Sequence, residues 1–335
     1  MTADIIQFVV AAVVIIMAGA ALTQCGDIIA KGTKLGGLLV GTILIAGATS
    51  LPELGVNISS VRRGDADLAV GDLAGSSLMN LLILAVLDLT RYSRGRMLSK
   101  ASAKQALGAS SSIALTAIVA IFIMLSARLG EIEIWRVGPG TIVLVVAYVL
   151  CLRLIHRGRE GTERRSDQEH AIWPPFLRNL QLRGAIVGYL IAGAAILSAA
   201  PFLSRAASNL AEQTGLGGTF FGSTFVALST SLPEVATTFT AVRIGALDMA
   251  MGNILGSNSF NMVLLIPLDL VYDGSLLAAV SPSHAYTALC VILVTSVVIL
   301  SQLYPVERKK PFVEPDAWLA ITLVIASFTG LYFLG

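Results

Sequence analysis

Two short stretches of this chain carry the same set of oxygen donors around a glutamate. Residues 47–53 read G-A-T-S-L-P-E, and residues 228–234 read L-S-T-S-L-P-E. Each is followed by a segment containing Gly-Ser, G-D-L-A-G-S-S-L-M-N at 71–80 and G-N-I-L-G-S-N-S-F-N at 252–261. The groups that could do chemistry are the carboxylates of Glu53, Glu234 and Asp72, the hydroxyls of Thr49, Ser50, Thr230, Ser231, Ser76 and Ser257, and the amides of Asn80 and Asn261. All of them are oxygen ligands, and neither His nor Cys lies beside the motifs. Such a set suits hard cations such as Ca²⁺ and Na⁺ and is wrong for zinc or copper. Both glutamates sit in long apolar runs, where an ionised side chain is costly and marks a functional site by default. Pro52 and Pro233 each lack a backbone donor. They are expected to interrupt their helices and free carbonyls near Ala48, Thr49, Leu228 and Ser229 or Thr230, which is tolerated in a membrane only beside a cavity, a partner or an ion.

The elements that must hold these groups are membrane helices. The chain has 335 residues, 55% hydrophobic and 13% charged, with mean hydropathy +0.80. A transmembrane helix needs roughly 20 mainly apolar residues, and such runs fill the chain. They are continuous, whereas a β-barrel would alternate apolar and polar residues. The fold class is therefore an all-α polytopic membrane protein. Ten transmembrane helices are expected near 5–26, 33–60, 67–90, 104–127, 134–154, 184–203, 215–242, 248–271, 280–301 and 317–335. A polar connection at 155–183 divides them into an N-terminal five-helix half, 1–154, and a C-terminal half, 184–335.

Basic residues set the orientation. With the N-terminus outside, only Arg62, Arg63, Arg128, Arg136 and Arg205 of the 23 Lys and Arg face outward. The rest fall on inner loops, including Arg308-Lys309-Lys310 and the 155–183 loop. The expectation is a multi-pass protein of the inner or plasma membrane, both termini outside and the 155–183 loop cytoplasmic. A net charge of +2 gives no footprint for nucleic acid. Cys25, Cys151 and Cys290 are scattered and read as small apolar helix residues.

The two motifs belong to a longer duplication. Shifted by 181, residues 41–82 overlay 222–263 without a gap, with sixteen identities in forty-two positions. Most matches are polar, Gly or Pro, so shared hydrophobicity does not explain them. Five spans separate the copies, an odd number, so they cross the bilayer in opposite senses. Inverted repeats of this kind place substrate sites near midplane, where interrupted helices from both halves meet. Asp72, Ser76 and Asn80 share one helix stripe, as do Asn253, Ser257 and Asn261. Asp67 and Asp248 begin their spans and read as helix-start residues.

At these residues the chain resembles the cation/calcium exchanger superfamily, within it the prokaryotic sodium/calcium exchanger branch. The resemblance covers both repeats, about a quarter of the chain, and implies two inverted five-helix halves around a four-helix core. It implies that Glu53 and Glu234 are the paired glutamates that bind the exchanged cations. It further implies that Thr49, Ser50, Thr230, Ser231, Ser76 and Ser257 supply hydroxyl or carbonyl oxygens, and that Asn80 and Asn261 hold the remaining core positions. The first and sixth spans resemble the sliding pair that gates access. Two departures stand out. The family's sodium/calcium members carry Asp at the position of Asn261, and they usually carry Asn at the position of Asp72.

The function this implies is secondary antiport of Ca²⁺ against Na⁺ by alternating access, with H⁺ as the alternative counter-ion, since a carboxylate taken out of water favours its neutral form. Two glutamates balance one Ca²⁺, two Na⁺ or two H⁺. A third Na⁺ would be uncompensated, so a stoichiometry of three is disfavoured unless Asp72 enters the site. Mg²⁺ dehydrates too reluctantly to be the better candidate. A cation channel would use similar ligands but usually builds rings from several subunits. An intramembrane aspartyl protease is suggested only faintly, by Asp72 and Asp273. No enzyme activity and no cofactor is expected. The partners are inorganic cations and the lipid bilayer, and the oligomeric state is not legible.

Overall fold

A computed structural model describes residues 1–33, 35–90, 98, 103–125, 137–157, 180–214, 228–303 and 315–334. Its named elements are all helices: α1 Thr2–Thr33, α2 Gly37–Arg62, α3 Ala66–Asp88, α4 Ala103–Met124, α5 Pro139–Arg157, α6 Leu182–Gln213, α7 Leu232–Arg243, α8 Leu247–Val271, α9 Ser283–Leu303 and α10 Pro315–Leu334. A single turn, Leu276–Ala279, precedes α9.

Eight of these are long and apolar enough to cross a membrane: α1, α2, α3, α4, α6, α8, α9 and α10. Against the ten expected spans, α5 carries a shorter apolar stretch, Pro139–Ile155. The seventh span is described only from residue 228 on. Its first part, 215–227, lies outside the described residues, as do most of the 155–183 loop and the basic runs at 91–97 and 304–310.

The apolar runs misplaced two helix ends. α1 and α6 are 32 residues each, against the expected 5–26 and 184–203. At about 1.5 Å per residue they are about 48 Å long, more than the roughly 30 Å hydrocarbon core. Hydropathy falls where polar side chains begin, but the helix continues because those side chains find partners. Lys31 reaches Asp27 at 2.6 Å one turn away, and Asn209 and Gln213 donate to Asp4 at 2.9 and 3.1 Å.

The helices group into two compact units, Met1–Pro52 with Glu163–Ile254, and Glu53–Thr162 with Leu255–Gly335. The chain passes from one to the other inside α2 and inside α8.

In the first unit α1 lies antiparallel along α6, with Asp4 beside Asn209 at one end and Gly32 against Leu182 at the other. Their outer faces carry Ile6, Val10 and Val13 on α1 and Val187, Leu190 and Ile191 on α6, all exposed, as lipid contact requires. The inner face of α1 is small and polar. Gly19 meets Ala236 of α7, and the Thr23 hydroxyl donates to the Thr237 carbonyl at 3.1 Å.

In the second unit Leu73, Val70, Leu115, Val119, Ile123, Leu144, Leu265 and Leu268 form the core joining α3, α4, α5 and α8. Asp269 is buried there and accepts Gly138 N–H at 2.8 Å and Leu276 N–H at 2.6 Å. Asp67 lies in the first turn of α3, as expected of a helix-start residue. It accepts Ser281 N–H at 2.6 Å and faces His284 Nε2 at 2.9 Å, fastening the start of α9.

The duplication has a local structural expression in each unit. Gly64 and Gly245, equivalent by the 181-residue shift, take φ of 87° and 77°. Asp65 N–H bonds Ser60 O and Gly64 N–H bonds Val61 O; Ala246 N–H bonds Ala241 O and Gly245 N–H bonds Val242 O. This is the same Schellman termination twice, which needs a left-handed residue that glycine supplies without strain.

Candidate cation site

The first unit's cluster of candidate ligands is built where α2, α7 and α8 approach. α2 contains a π-helical segment, Val40–Ile45, just before the motif. Such a bulge shifts the carbonyls out of the ordinary ladder, and Tyr189 of α6 donates to the Leu44 carbonyl at 2.6 Å. Next to it Gly41 faces Gly252 of α8. A Cβ on Gly252 would come within 2.5 Å of the Leu38 carbonyl oxygen and 3.2 Å of the Gly41 Cα, so the close approach exists because both residues lack a side chain.

Thr49 and Ser50 follow, both buried. The Thr49 hydroxyl bonds the carboxylate of Glu234, which is 1% exposed. Ser50 Oγ, Ser231 Oγ, Glu234 Oε2 and Asn253 Oδ1 find no hydrogen-bond partner among the described residues. The Thr237 hydroxyl covers the Pro233 carbonyl at 2.8 Å. Asn253 Nδ2 donates to the hydroxyls of Thr237 at 2.9 Å and Thr238 at 2.8 Å. Here the proline expectation is met: Ser231 is a non-helical turn and α7 begins at Leu232. It fails for Pro52, which sits inside a continuous helix. One missing donor does not end a helix whose flanking turns are intact.

The second unit has its own cluster of candidate ligands, on α2, α3 and α8. Glu53 is 5% exposed. One turn along the same face, Asn57 donates to Asp72 Oδ2 at 2.9 Å. Asn80 Nδ2 donates to Asn258 Oδ1 at 3.0 Å, and Asn258 Nδ2 donates to the Ser77 carbonyl at 3.2 Å. Asn261 Nδ2 reaches the Leu73 carbonyl at 3.3 Å and Ser77 Oγ at 3.2 Å. Asn80 and Asn261 thus spend their amide hydrogens on joining α3 to α8. Their Oδ1 atoms have no partner among the described residues and stay available as ligands. Ser76 and Ser257 are buried on the same helices.

Thr49, Ser50, Ser231 and Glu234 therefore fall in the first unit with Thr230, and Glu53, Asp72, Ser76, Asn80, Ser257 and Asn261 in the second. Five polar residues of this network escaped the sequence reading: Asn57, Ser77, Thr237, Thr238 and Asn258. The signal was present. Asn57 and Thr238 are equivalent by the 181-residue shift, as are Ser77 and Asn258, but counting identities hides the exchange of one polar residue for another. The duplication also runs past residue 82, since Leu84, Leu87, Asp88 and Leu89 match Leu265, Leu268, Asp269 and Leu270.

Comparison with known proteins gives a consistent set of matches. The family described as sodium/calcium exchanger protein matches residues 4–155 and again 184–335. The inner membrane protein YrbG of Escherichia coli is 26% identical over 76% of this chain and 75% of its own length. The sodium/calcium exchanger MaX1 of Methanosarcina acetivorans is 29% identical over a smaller share, 39% of this chain and 38% of its own. Among solved structures, the sodium-calcium exchanger NCX_Mj soaked with 2.5 mM Na⁺ and 0.1 mM Sr²⁺ has the same fold, with TM-score 0.69 over 98% of both chains at 16% identity.

Proposed function

The chain belongs to the sodium/calcium exchanger protein family, and we propose that it is a secondary antiporter exchanging Ca²⁺ for Na⁺ by alternating access around Glu53 and Glu234. The observation that carries this reading is a pair of repeat-related carboxylates, each almost completely buried in apolar helices, surrounded by hydroxyls and amide oxygens. The family is one of transporters, so no catalytic activity is assigned.

In this reading the donors are the two glutamates, Thr49, Ser50, Thr230, Ser231, Ser76 and Ser257, and the free amide oxygens of Asn80 and Asn261. The site holds either one Ca²⁺ or the counter-ions. Two bare carboxylates away from water are costly, so reorientation requires a neutralised site, and that requirement couples the two fluxes. This reading takes ten spans in inverted halves 1–154 and 184–335, with the termini outside and the 155–183 loop cytoplasmic. α1 and α6, packed antiparallel, are the elements that slide. Inorganic cations and the bilayer are the only partners required; neither a cofactor nor nucleic acid has a role.

The test is ⁴⁵Ca²⁺ uptake by proteoliposomes under an imposed Na⁺ gradient, compared with an imposed pH gradient. Uptake driven by the Na⁺ gradient supports the reading. Uptake driven only by the pH gradient replaces Na⁺ with H⁺, and uptake without any counter-flow would make the protein a channel.

A further inference from the structure

The two repeats differ in charge at Arg63 and Asp65, which face each other in the turn before α3, and at Asp72, which lies inside the helix. We propose that Asp72 and Asn57 form a distinct subsite for a monovalent hard cation, Na⁺, one helical turn from Glu53. This deepens the antiport reading and rests on it.

Asp72 lies within α3 and is partly buried, and no ion pair among the described residues includes it. A carboxylate inside a span demands a partner of opposite charge or a dense set of donors. Among the described residues it has one neutral side-chain donor, the Asn57 amide at 2.9 Å.

Asn57 supplies the second, independent observation. It is 1% exposed, and its Oδ1 has no partner among the described residues. The amide nitrogen is fixed on Asp72, which sets the plane of the group and leaves its oxygen without a partner among the described residues. Together they present oxygen ligands with one negative charge. A monovalent cation neutralises that charge, while a divalent one would leave an excess positive charge in a low dielectric.

The second repeat shows what the same geometry looks like without the charge. Asn253, equivalent to Asp72, donates to Thr238, equivalent to Asn57, and also to Thr237. The donor and acceptor have changed places, and the second repeat has no carboxylate at this position. Three carboxylates balance one more Na⁺ than two do, which reverses the charge argument against a third sodium.

The experiment uses the full-length protein in lipid nanodiscs, with thermal denaturation followed at constant ionic strength while Na⁺ replaces choline, and separately while Ca²⁺ is added. The variants are Asp72→Asn alone and Asp72→Asn combined with Asn57→Thr, the pair that the second repeat already folds with. The wild type is expected to be stabilised by both ions. Both variants should lose about tenfold or more in apparent Na⁺ affinity, the consequence of removing a charged ligand, while their Ca²⁺ response stays within about twofold. Unchanged Na⁺ response in the variants overturns the subsite, and so does an equal loss of Ca²⁺ response, which would put Asp72 in the shared cage. A wild type stabilised by Ca²⁺ but not by Na⁺ overturns the subsite and leaves antiport against H⁺ standing. Stabilisation by neither ion overturns both readings.

Discussion

The two repeats, 41–82 and 222–263, are most alike where the backbone turns and least alike where side chains meet. Their helix terminations at Gly64 and Gly245 use the same pair of hydrogen bonds. Their contacts one turn beyond the glutamate run in opposite directions, Asn57 donating to Asp72 in one and Asn253 donating to Thr238 in the other. The proline has different consequences too, since the helix continues through Pro52 but starts afresh at Leu232 beside Pro233. A duplication can keep the positions that fix the chain path and still divide the chemistry unequally. Glu53, Thr49, Ser50, Ser76 and Asn80 each meet their own kind in the second repeat, while Asn57, Asp72 and Ser77 meet Thr238, Asn253 and Asn258.

The largest effect is expected at the carboxylates, where the comparison predicts equality. Changing even an outer-shell partner of a bound metal typically costs 10–100-fold. Glu53→Gln and Glu234→Gln should each lower ⁴⁵Ca²⁺ exchange in proteoliposomes by at least about 100-fold, on that scale. The double substitution should be no worse than either one. A variant at one glutamate that retains substantial exchange would show that the repeats do not contribute to a common site.

A smaller effect, on stability, separates the two glycines that open the second helix of each repeat. A Cβ at Gly252 would press on backbone atoms, at 2.5 Å from Leu38 O and 3.0 Å from Thr42 N. Backbone cannot rotate away, so Gly252→Ala should destabilise by about 1–3 kcal/mol, the cost of overpacking, offset only partly by the better helix propensity of alanine. At Gly71 the nearest atom is His284 Cε1 at 3.0 Å, the edge of a side chain. There the propensity gain of about 0.5–1 kcal/mol roughly cancels the contact. Thermal denaturation in nanodiscs should rank Gly252→Ala well below Gly71→Ala, and equal values would mean the α2–α8 approach is looser than the backbone indicates.

Much of this was legible in the chain. Apolar runs announced helices, and sixteen repeat identities picked out the glutamates, the hydroxyls and the turn glycines. The ends of α1 and α6 were not legible, because hydropathy drops at Gln24, Asp27 and Asn209 while the polar side chains there find partners, Asp27 with Lys31 one turn on and Asn209 with Asp4 of the neighbouring helix. Asn57 and Thr238 were overlooked because their partners, Asp72 and Asn253, lie on the following helix and the two pairs leave no identity to count. Pro52 misled because a proline predicts a lost hydrogen bond, and the rest of the helix decides whether one lost bond becomes a break.

The smallest effect bears on whether the hydrogen bond or the charge distinguishes the repeats. Asn253→Ala removes two bonds, to Thr237 and Thr238. Interhelical bonds in membrane proteins average about 0.6 kcal/mol, so the loss should be about 1 kcal/mol on that basis. Asn253→Asp is different. The Thr238 hydroxyl can turn from acceptor to donor, whereas the Thr237 hydroxyl already donates to the Pro233 carbonyl at 2.8 Å. One bond therefore survives and becomes charge-assisted, which makes it shorter and stronger. The added carboxylate gives the second repeat the charge that only the first now carries. In nanodiscs containing Na⁺, Asn253→Asp should be at least as stable as Asn253→Ala; in choline it should be the less stable of the two. If the order does not depend on Na⁺, the asymmetry between the repeats is one of hydrogen-bond geometry alone.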